Sequence, residues 1–352
     1  MSGHRTARLL VYTHRWLGIV SGVLFVIWFA SGIVMMYARM PALDPAERLA
    51  RLPRIDPGSI KVPPAAAAEI TRLTIGTLDG RPIYRTTARG KTQLSFADTG
   101  EAIPLVDKEH ALTIARAFEG ARHELRYDER LTDADQWSFG VRGRMPMHRI
   151  SVNDAEATTL YVAENGGDVV LKTTSSGRLW GGAGAVLHWL YFTPIRRNAS
   201  LWGQAVIWLS IAGTLMCIVG VVWGLWRVAP FRGYRLRYHR QWSPYAGWMR
   251  WHHYAGLLFG VVTTTWIFSG LLSMDPWDWH PSTAPARDVR LRVSGGAIDI
   301  NELSVARLQT AIHAFVPKQM VEVLQGVVII AVAMSVPEVR RALRQARRPA
   351  SA

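Results

Sequence analysis

His14-Arg15-Trp16-Leu17-Gly18 opens a stretch that runs on through Gly22, Trp28, Ser31, Gly32 and Met36. At a constant offset of 238 residues the chain has His252-His253-Tyr254-Ala255-Gly256, then Gly260, Trp266, Ser269, Gly270 and Met274. His, Gly, Gly, Trp, Ser, Gly and Met recur in one register without a gap. Both copies are apolar runs of membrane-spanning length with a histidine at the N-terminal end. An ionisable ring at the same depth in two such helices marks a functional site by default.

The charge-free runs set the fold class. Trp16 to Tyr37, Gly203 to Trp226 and His252 to Met274 contain no Asp, Glu, Lys or Arg. Each is long enough to cross a hydrocarbon core of about 30 Å. A fourth run, Val323 to Val336, is short for a span. The first run is too long for a signal-peptide core and reads as a retained anchor. The expected class is a polytopic α-helical membrane protein, with three spans, a candidate fourth and an extracytoplasmic α+β domain.

Arginine placement gives the topology. Arg5, Arg8, Arg15 and Arg39 precede the first acid, and Arg227, Arg232, Arg235, Arg237, Arg240 and Arg250 share a segment without acids. The positive-inside rule places the N-terminus and the 227–250 loop in the cytoplasm. Residues 39–200 and those after 275 then lie outside. The net charge of +15 follows from these topology arginines. Nucleic acid is excluded as a partner, because no basic patch is interleaved with aromatics on a soluble domain. The lipid bilayer is the expected surround.

The single cysteine, Cys217, allows no disulfide within the chain. The lack of Cys-x-x-Cys-His excludes covalent haem attachment. A cofactor must therefore be held by histidine, carboxylate or thioether.

The domain reading is 1–38 for the cytoplasmic N-terminus and first span, and 39–182 for the α+β domain. Residues 183–227 hold an interfacial helix and the second span, 228–249 the basic loop and 250–274 the third span. A second, incomplete α+β segment with a basic tail occupies 275–352. Within these, Ala65 to Ile70 and Lys108 to Glu119 read as helices, with Asp107 as N-cap. Strands are expected at Arg81 to Thr87, Thr92 to Phe96, His148 to Val152, Thr158 to Val162 and Asp168 to Thr173. Residues 299–325 read as a helix and the start of a hairpin. Trp180, Trp189, Tyr191, Trp202, Trp277 and Trp279 suit an interfacial aromatic belt.

Positions four and eight apart lie on one helix face. His14, Gly18 and Gly22 share a face, as do His252, Gly256 and Gly260. A histidine followed by two glycines makes a ligand beside a bare helix surface. A flat macrocycle can lie on that surface while the imidazole reaches its metal, and haem iron takes axial histidine. The competing reading is close helix packing through Gly-x-x-x-Gly, with the histidines as buried hydrogen-bonding groups. Arg15 and His253 occupy equivalent positions and suit either haem propionates or the snorkelling expected at a helix end. His188, before the second span, is a candidate ligand on the outer side or an ordinary interfacial histidine. His280 and His313 are weaker candidates. Met145-Pro146-Met147-His148 suits a soft metal but reads better as the opening of a strand.

Thr13-His14-Arg15-Trp16-Leu17-Gly18 and Trp251-His252-His253-Tyr254-Ala255-Gly256 resemble the PepSY-associated transmembrane proteins of bacterial inner membranes. So do Arg178-Leu179-Trp180, Leu187-His188-Trp189-Leu190-Tyr191-Phe192-Thr193-Pro194 and the stretch from Phe268 to Trp277. The resemblance covers residues 5–300. It implies PepSY units, each a helix with antiparallel strands, carried outside the membrane between spans. Some members are ferric-siderophore reductases with membrane-embedded b-type haems, and isolated PepSY modules regulate peptidases. By position, His14, His188 and His252 fall where the family's histidines fall. The family completes a second unit and adds a fourth span with its own histidine. Here Val321 to Met334 resembles the hairpin of that second unit and is followed by a basic tail, Arg340 to Arg348. Residues 321–336 are either a strand of a truncated unit, the preferred reading, or a short fourth span.

The resemblance thus implies a multi-pass protein of the bacterial inner membrane that binds haem b. Electrons would pass from a quinone or cytoplasmic reductant through His14 and His252, then past His188 to a ferric siderophore. The alternative is a non-catalytic, membrane-anchored PepSY sensor or peptidase regulator.

Overall fold

The computed structural model describes residues 2–65, 70–88, 91–229, 233–235, 240–278 and 303–313. The chain divides into two compact units. One comprises residues 1–52 and 104–293, the other 53–103 and 294–352.

Three helices carry the membrane part of the first unit: α1 (Ser2–Met35), α7 (Ala199–Arg227) and α8 (Gly247–Ser273). All three are long and apolar enough to span a bilayer, and they cover the three charge-free runs to within two residues. Asn198 starts α7 by accepting the Leu201 amide at 2.9 Å, satisfying one of the free donors at a helix start. Helix α7 packs against both α1 and α8. His14 meets His252 and Trp28 meets Trp266, so α1 and α8 run parallel in matching register. Much of α1 and α8 presents large apolar side chains outward, among them Val20, Val23, Leu258 and Val262. That surface suits lipid rather than water.

The α+β part of this unit begins with α2 (Pro45–Arg51), capped by Asp44, and α3 (Lys108–Glu119), capped by Asp107, whose carboxylate accepts the His110 amide. Gly120, at φ 81°, ends α3 where a left-handed residue is needed. Four antiparallel strands follow in sequence order: β4 (Leu125–Leu131), β5 (Met147–Val152), β6 (Thr159–Ala163) and β7 (Val169–Thr173). Alternation puts Ile150, Val152, Leu160 and Val162 against Ala111, Ala115 and Phe118 of α3. Burying a side chain such as Phe118 contributes about 2–3 kcal/mol. The opposite sheet face is apolar only at one end, where Leu131, Met147, Tyr161 and Leu171 cluster.

After β7 come α4 (Ser175–Gly181), a π turn (Gly182–Val186), α5 (Leu187–Trp189) and α6 (Thr193–Arg196). The expected interfacial helix is this broken run. It is tied to the sheet domain: Gln136 donates to the Tyr191 carbonyl at 2.6 Å and accepts from the Thr193 hydroxyl at 2.8 Å. The 227–250 segment contributes a two-residue ladder, β8 (Tyr234–Arg235) with β9 (Arg240–Gln241).

The second unit is a three-stranded antiparallel sheet, β1 (Ile70–Leu78), β2 (Arg81–Ala88) and β3 (Lys91–Phe96), with α9 (Val305–His313). Ile60, Tyr84, Ala97 and Leu308 form its core. Ile70 belongs to β1, not to the helix expected over Ala65 to Ile70; residues 66–69 lie outside the described residues. The segment drawn as 39–182 is therefore shared between the two units, and α9 from the 275–352 segment joins the earlier sheet. The physical reason is that α3 already covers β4–β7, so β1–β3 needs another helix for its apolar face. His280, the 321–336 run and the basic tail lie outside the described residues.

Candidate functional site

The first residues of the repeat meet in one cavity. His14 on α1 and His252 on α8 have ring centres 6.0 Å apart, with planes inclined at 42°. The His14 Nδ1–H donates to the Met216 carbonyl of α7 at 3.0 Å. That bond fixes the tautomer and leaves Nε2 with its lone pair, the usual arrangement of a metal-binding histidine. His252 makes no hydrogen bond among the described residues.

Helix α7 yields space to them. A Cβ on Gly220 would stand 2.5 Å from His14 Cε1, and one on Gly224 3.5 Å from His253 Cδ2. The cavity measures 850 Å³ and is lined by His14, Arg15, Gly18, His252, His253, Gly256 and Gly260, together with Met216, Cys217 and Gly220 of α7. This lies within the range of about 300–1,000 Å³ typical of small-molecule and cofactor sites. His14 and His252 would be the residues to hold a metal here, His14 through the Nε2 that its Nδ1 hydrogen bond leaves free. The residues present therefore fit a flat macrocycle with a central metal.

The four glycines that share a face with His14 or His252 separate into two kinds. A Cβ on Gly22 or Gly256 would meet nothing within 4 Å, and one on Gly18 only Met216 Sδ at 3.9 Å. These three match the bare-surface reading. Gly260 instead serves close packing, since its Cβ would stand 2.6 Å from Val221 Cγ2. Gly22 does not line the cavity.

Arg15 and His253 differ despite their equivalent positions. Arg15 is exposed at the cavity edge and has no ion pair among the described residues. His253 is buried; its Nε2–H donates to the Gly224 carbonyl at 2.9 Å and Nδ1 accepts from the Ser243 hydroxyl at 2.8 Å. Both of its nitrogens are occupied, so it ties α8 to α7 and to the 240–245 segment and offers no nitrogen to a ligand.

His188 occupies a second cavity, of 530 Å³, at the other end of the bundle. Its ring stacks on Trp28 at 5.3 Å and 19°. Nδ1 donates to the Trp28 carbonyl at 3.1 Å and lies 3.3 Å from Ser31 Oγ. Gly32 admits the ring, since a Cβ there would stand 3.1 Å from His188 Cε1. The C-terminal half of the repeat thus seats His188, while Trp266, Ser269, Gly270 and Met274 of the second copy line the same cavity. His14 and Trp28 are 14 residues apart on one helix, an axial distance of about 21 Å. Phe25 lines both cavities and contacts Trp28 edge-on at 6.3 Å.

Sequence reasoning missed the contribution of α7. Its signal was available: Gly213, Gly220 and Gly224 notch the middle helix where Phe25, His14 and His253 approach it. His148, weighed as a soft-metal ligand, is buried and spent within the sheet domain, donating from Nε2 to the Val106 carbonyl and accepting from the Tyr127 hydroxyl at Nδ1. Among the described residues, no group of three or more His, Cys, Asp or Glu side chains is placed to hold a metal ion.

Comparison with curated proteins and with solved structures gives no match. The sequence does match the family described as PepSY-associated TM region over residues 11–321, most of the chain. Those bounds enclose both copies of the repeat, both sheets and the His188 helix, and the chain belongs to that PepSY-associated membrane family.

Proposed function

We propose that the chain is a haem-binding electron-transfer protein. The observation that carries this is the His14–His252 pair, 6.0 Å apart, with the His14 Nδ1 anchored on a backbone carbonyl. Haem b would supply one-electron redox chemistry when bound. The chain's own residues would hold and orient it: His14 and His252 offer ring nitrogens, Gly18 and Gly256 leave flat helix surface, and Arg15, exposed at the cavity edge, could pair with a propionate. The apolar walls exclude water.

In this reading the protein sits in a bacterial inner membrane, with its N-terminus and the 227–250 loop in the cytoplasm. It takes electrons from a quinone or a cytoplasmic reductant and delivers them on the His188 side to a ferric siderophore. The spectrum of the detergent-purified protein tests the reading. A Soret band is expected, and His14→Ala or His252→Ala should abolish or shift it without preventing membrane insertion. A colourless parent, or spectra unchanged in both variants, would overturn the haem assignment and leave a membrane-anchored PepSY regulator.

A further inference from the structure

Arg227 ends α7 with an unanswered donor. Its side chain is half-buried, and its Nε finds no hydrogen-bond partner among the described residues. The guanidinium lies 5.6 Å from the centre of the Trp223 ring and 5.9 Å from that of Tyr234. Aromatic faces within about 6 Å attract a cation, and a helix C-terminus favours positive charge. Neither supplies an acceptor for the Nε–H. The Tyr234 hydroxyl donates to the Arg227 carbonyl at 2.9 Å, which holds ring and arginine together.

Two further unmet charges follow in the same segment. Arg235 and Arg240 face each other across the β8–β9 ladder, and both are exposed. Like charges placed directly opposite destabilise a strand pair. The Ala229 amide donates to the Trp242 carbonyl at 3.0 Å, folding the ladder back onto the end of α7. None of the three arginines has an ion pair among the described residues, and the sequence holds no Asp or Glu from Val169 to Met274 or before Asp44. A counter-charge for this end of the bundle must come from another molecule.

Depth and surroundings say which. Trp202 and Trp223 are 21 residues apart on α7, an axial rise of about 32 Å. That matches a hydrocarbon core of about 30 Å with tryptophan at each boundary. Arg227, one turn beyond Trp223, then stands in the headgroup layer. Trp242, Trp248 and Trp251 of the following segment are 58 %, 89 % and 63 % exposed. Exposed tryptophan interleaved with arginine suits a surface of acyl chains and phosphates.

We propose that Arg227, Trp223 and Tyr234 form a site for the headgroup phosphate of an anionic phospholipid, with Arg235 and Arg240 adding charge. The Arg227 guanidinium donates to phosphate oxygens, giving its Nε–H the acceptor that the described chain withholds. The lipid belongs to the leaflet on the side of the N-terminus and the 227–250 loop. The inference is independent of the haem reading.

The test is native mass spectrometry of the full chain in detergent, equilibrated with equimolar dioleoyl phosphatidylglycerol and dioleoyl phosphatidylcholine. The acyl chains are identical, so a difference reports the headgroup charge. Phosphatidylglycerol adducts should exceed phosphatidylcholine adducts severalfold. Arg227→Gln should lower the phosphatidylglycerol adducts about fivefold, the worth of one arginine near an anionic surface. Arg227→Lys, which keeps the charge and loses the fork, should lower them less. The double variant Arg235→Gln, Arg240→Gln leaves α7 untouched and should lower them as well. Arg126→Gln, at an exposed position of the sheet domain, should change nothing. Circular dichroism checks that each variant is folded. Equal retention of the two lipids by the parent, or parental retention of phosphatidylglycerol in both Arg227→Gln and the double variant, overturns the proposal. Displacement of the lipid by excess inorganic phosphate overturns it too, assigning the site to a free anion.

Discussion

A Cβ on Gly220 would stand 2.5 Å from His14 Cε1 and 2.8 Å from Nδ1, closer than real Cβ contacts come. Gly220→Ala should therefore push the His14 ring off the Met216 carbonyl and, on the proposed haem reading, lower the haem content of the purified protein severalfold. Gly22→Ala, with open space around it and no place in the cavity lining, should leave haem content unchanged and be neutral or stabilising by up to about 1 kcal/mol. Equal loss in both variants would contradict the division between notch and bare surface. A different residue governs pH sensitivity in the sheet domain. Burial raises the Asp154 carboxyl, but the Thr158 hydroxyl and amide, at 2.6 and 2.8 Å, outweigh it and hold the carboxyl below its ordinary value. A folded pKa below the unfolded value of about 3.9 gives stability that is intact above that pH and lost as the pH falls through the folded value. Asp154→Asn keeps an acceptor and removes the charge. The parent's stability advantage over it, followed by urea unfolding, should be constant near neutrality and vanish in acid; a gap that persists in acid would refute the assignment.

At the level of elements, the membrane helices and most strands were legible because one physical signal dominates each. Charge-free length gave α1, α7 and α8, and period-two alternation next to turn residues gave β2, β3, β5, β6 and β7. Strand β4 was not legible: Arg126, Asp128, Glu129 and Arg130 make it read as a loop, and a register shift between Tyr127 and Glu129 breaks the alternation. Those charges are tolerated because Arg130 pairs with Glu164 at 2.6 Å and Asp128 with Ser151, contacts that no local pattern announces. The π turn was hidden for a similar reason, since Gly182 to Val186 has no composition that distinguishes it from a regular helix. Such turns often mark functional positions, and this one sets the direction of His188. Deleting Ala185 should restore regular helix and rotate the following residues by about 100°. His188 would leave Trp28, and its modification by diethyl pyrocarbonate, read by mass spectrometry, should rise severalfold. Unchanged reactivity would show that the turn does not aim the ring.

For the whole molecule, the repeat predicted parallel helices with His14 and His252 at matched depth, and their ring centres stand 6.0 Å apart; it did not predict that Trp28, Ser31 and Gly32 hold a histidine from elsewhere in the chain. Contacts between residues 157 and 160 positions apart leave no trace in a local reading. The grouping of β1–β3 with α9 was illegible for the same reason. Because the two cavities sit about 21 Å apart along α1, no single small group can be held by the histidines of both. His188→Ala should keep the absorbance due to the His14–His252 site and lose reduction of an external ferric complex. A parental reduction rate in that variant would remove His188 from the pathway.

Phe25 belongs to the wall of both cavities, and its ring end would lie 3.2 Å from a Cβ on Gly213 of α7. It has little room to move without altering both spaces at once. Any group that fills one cavity and shifts this ring changes the affinity of the other, and linkage requires the effect to be equal in both directions. Through that shared wall, a group at one end of the bundle that displaced the ring would be felt at the other end.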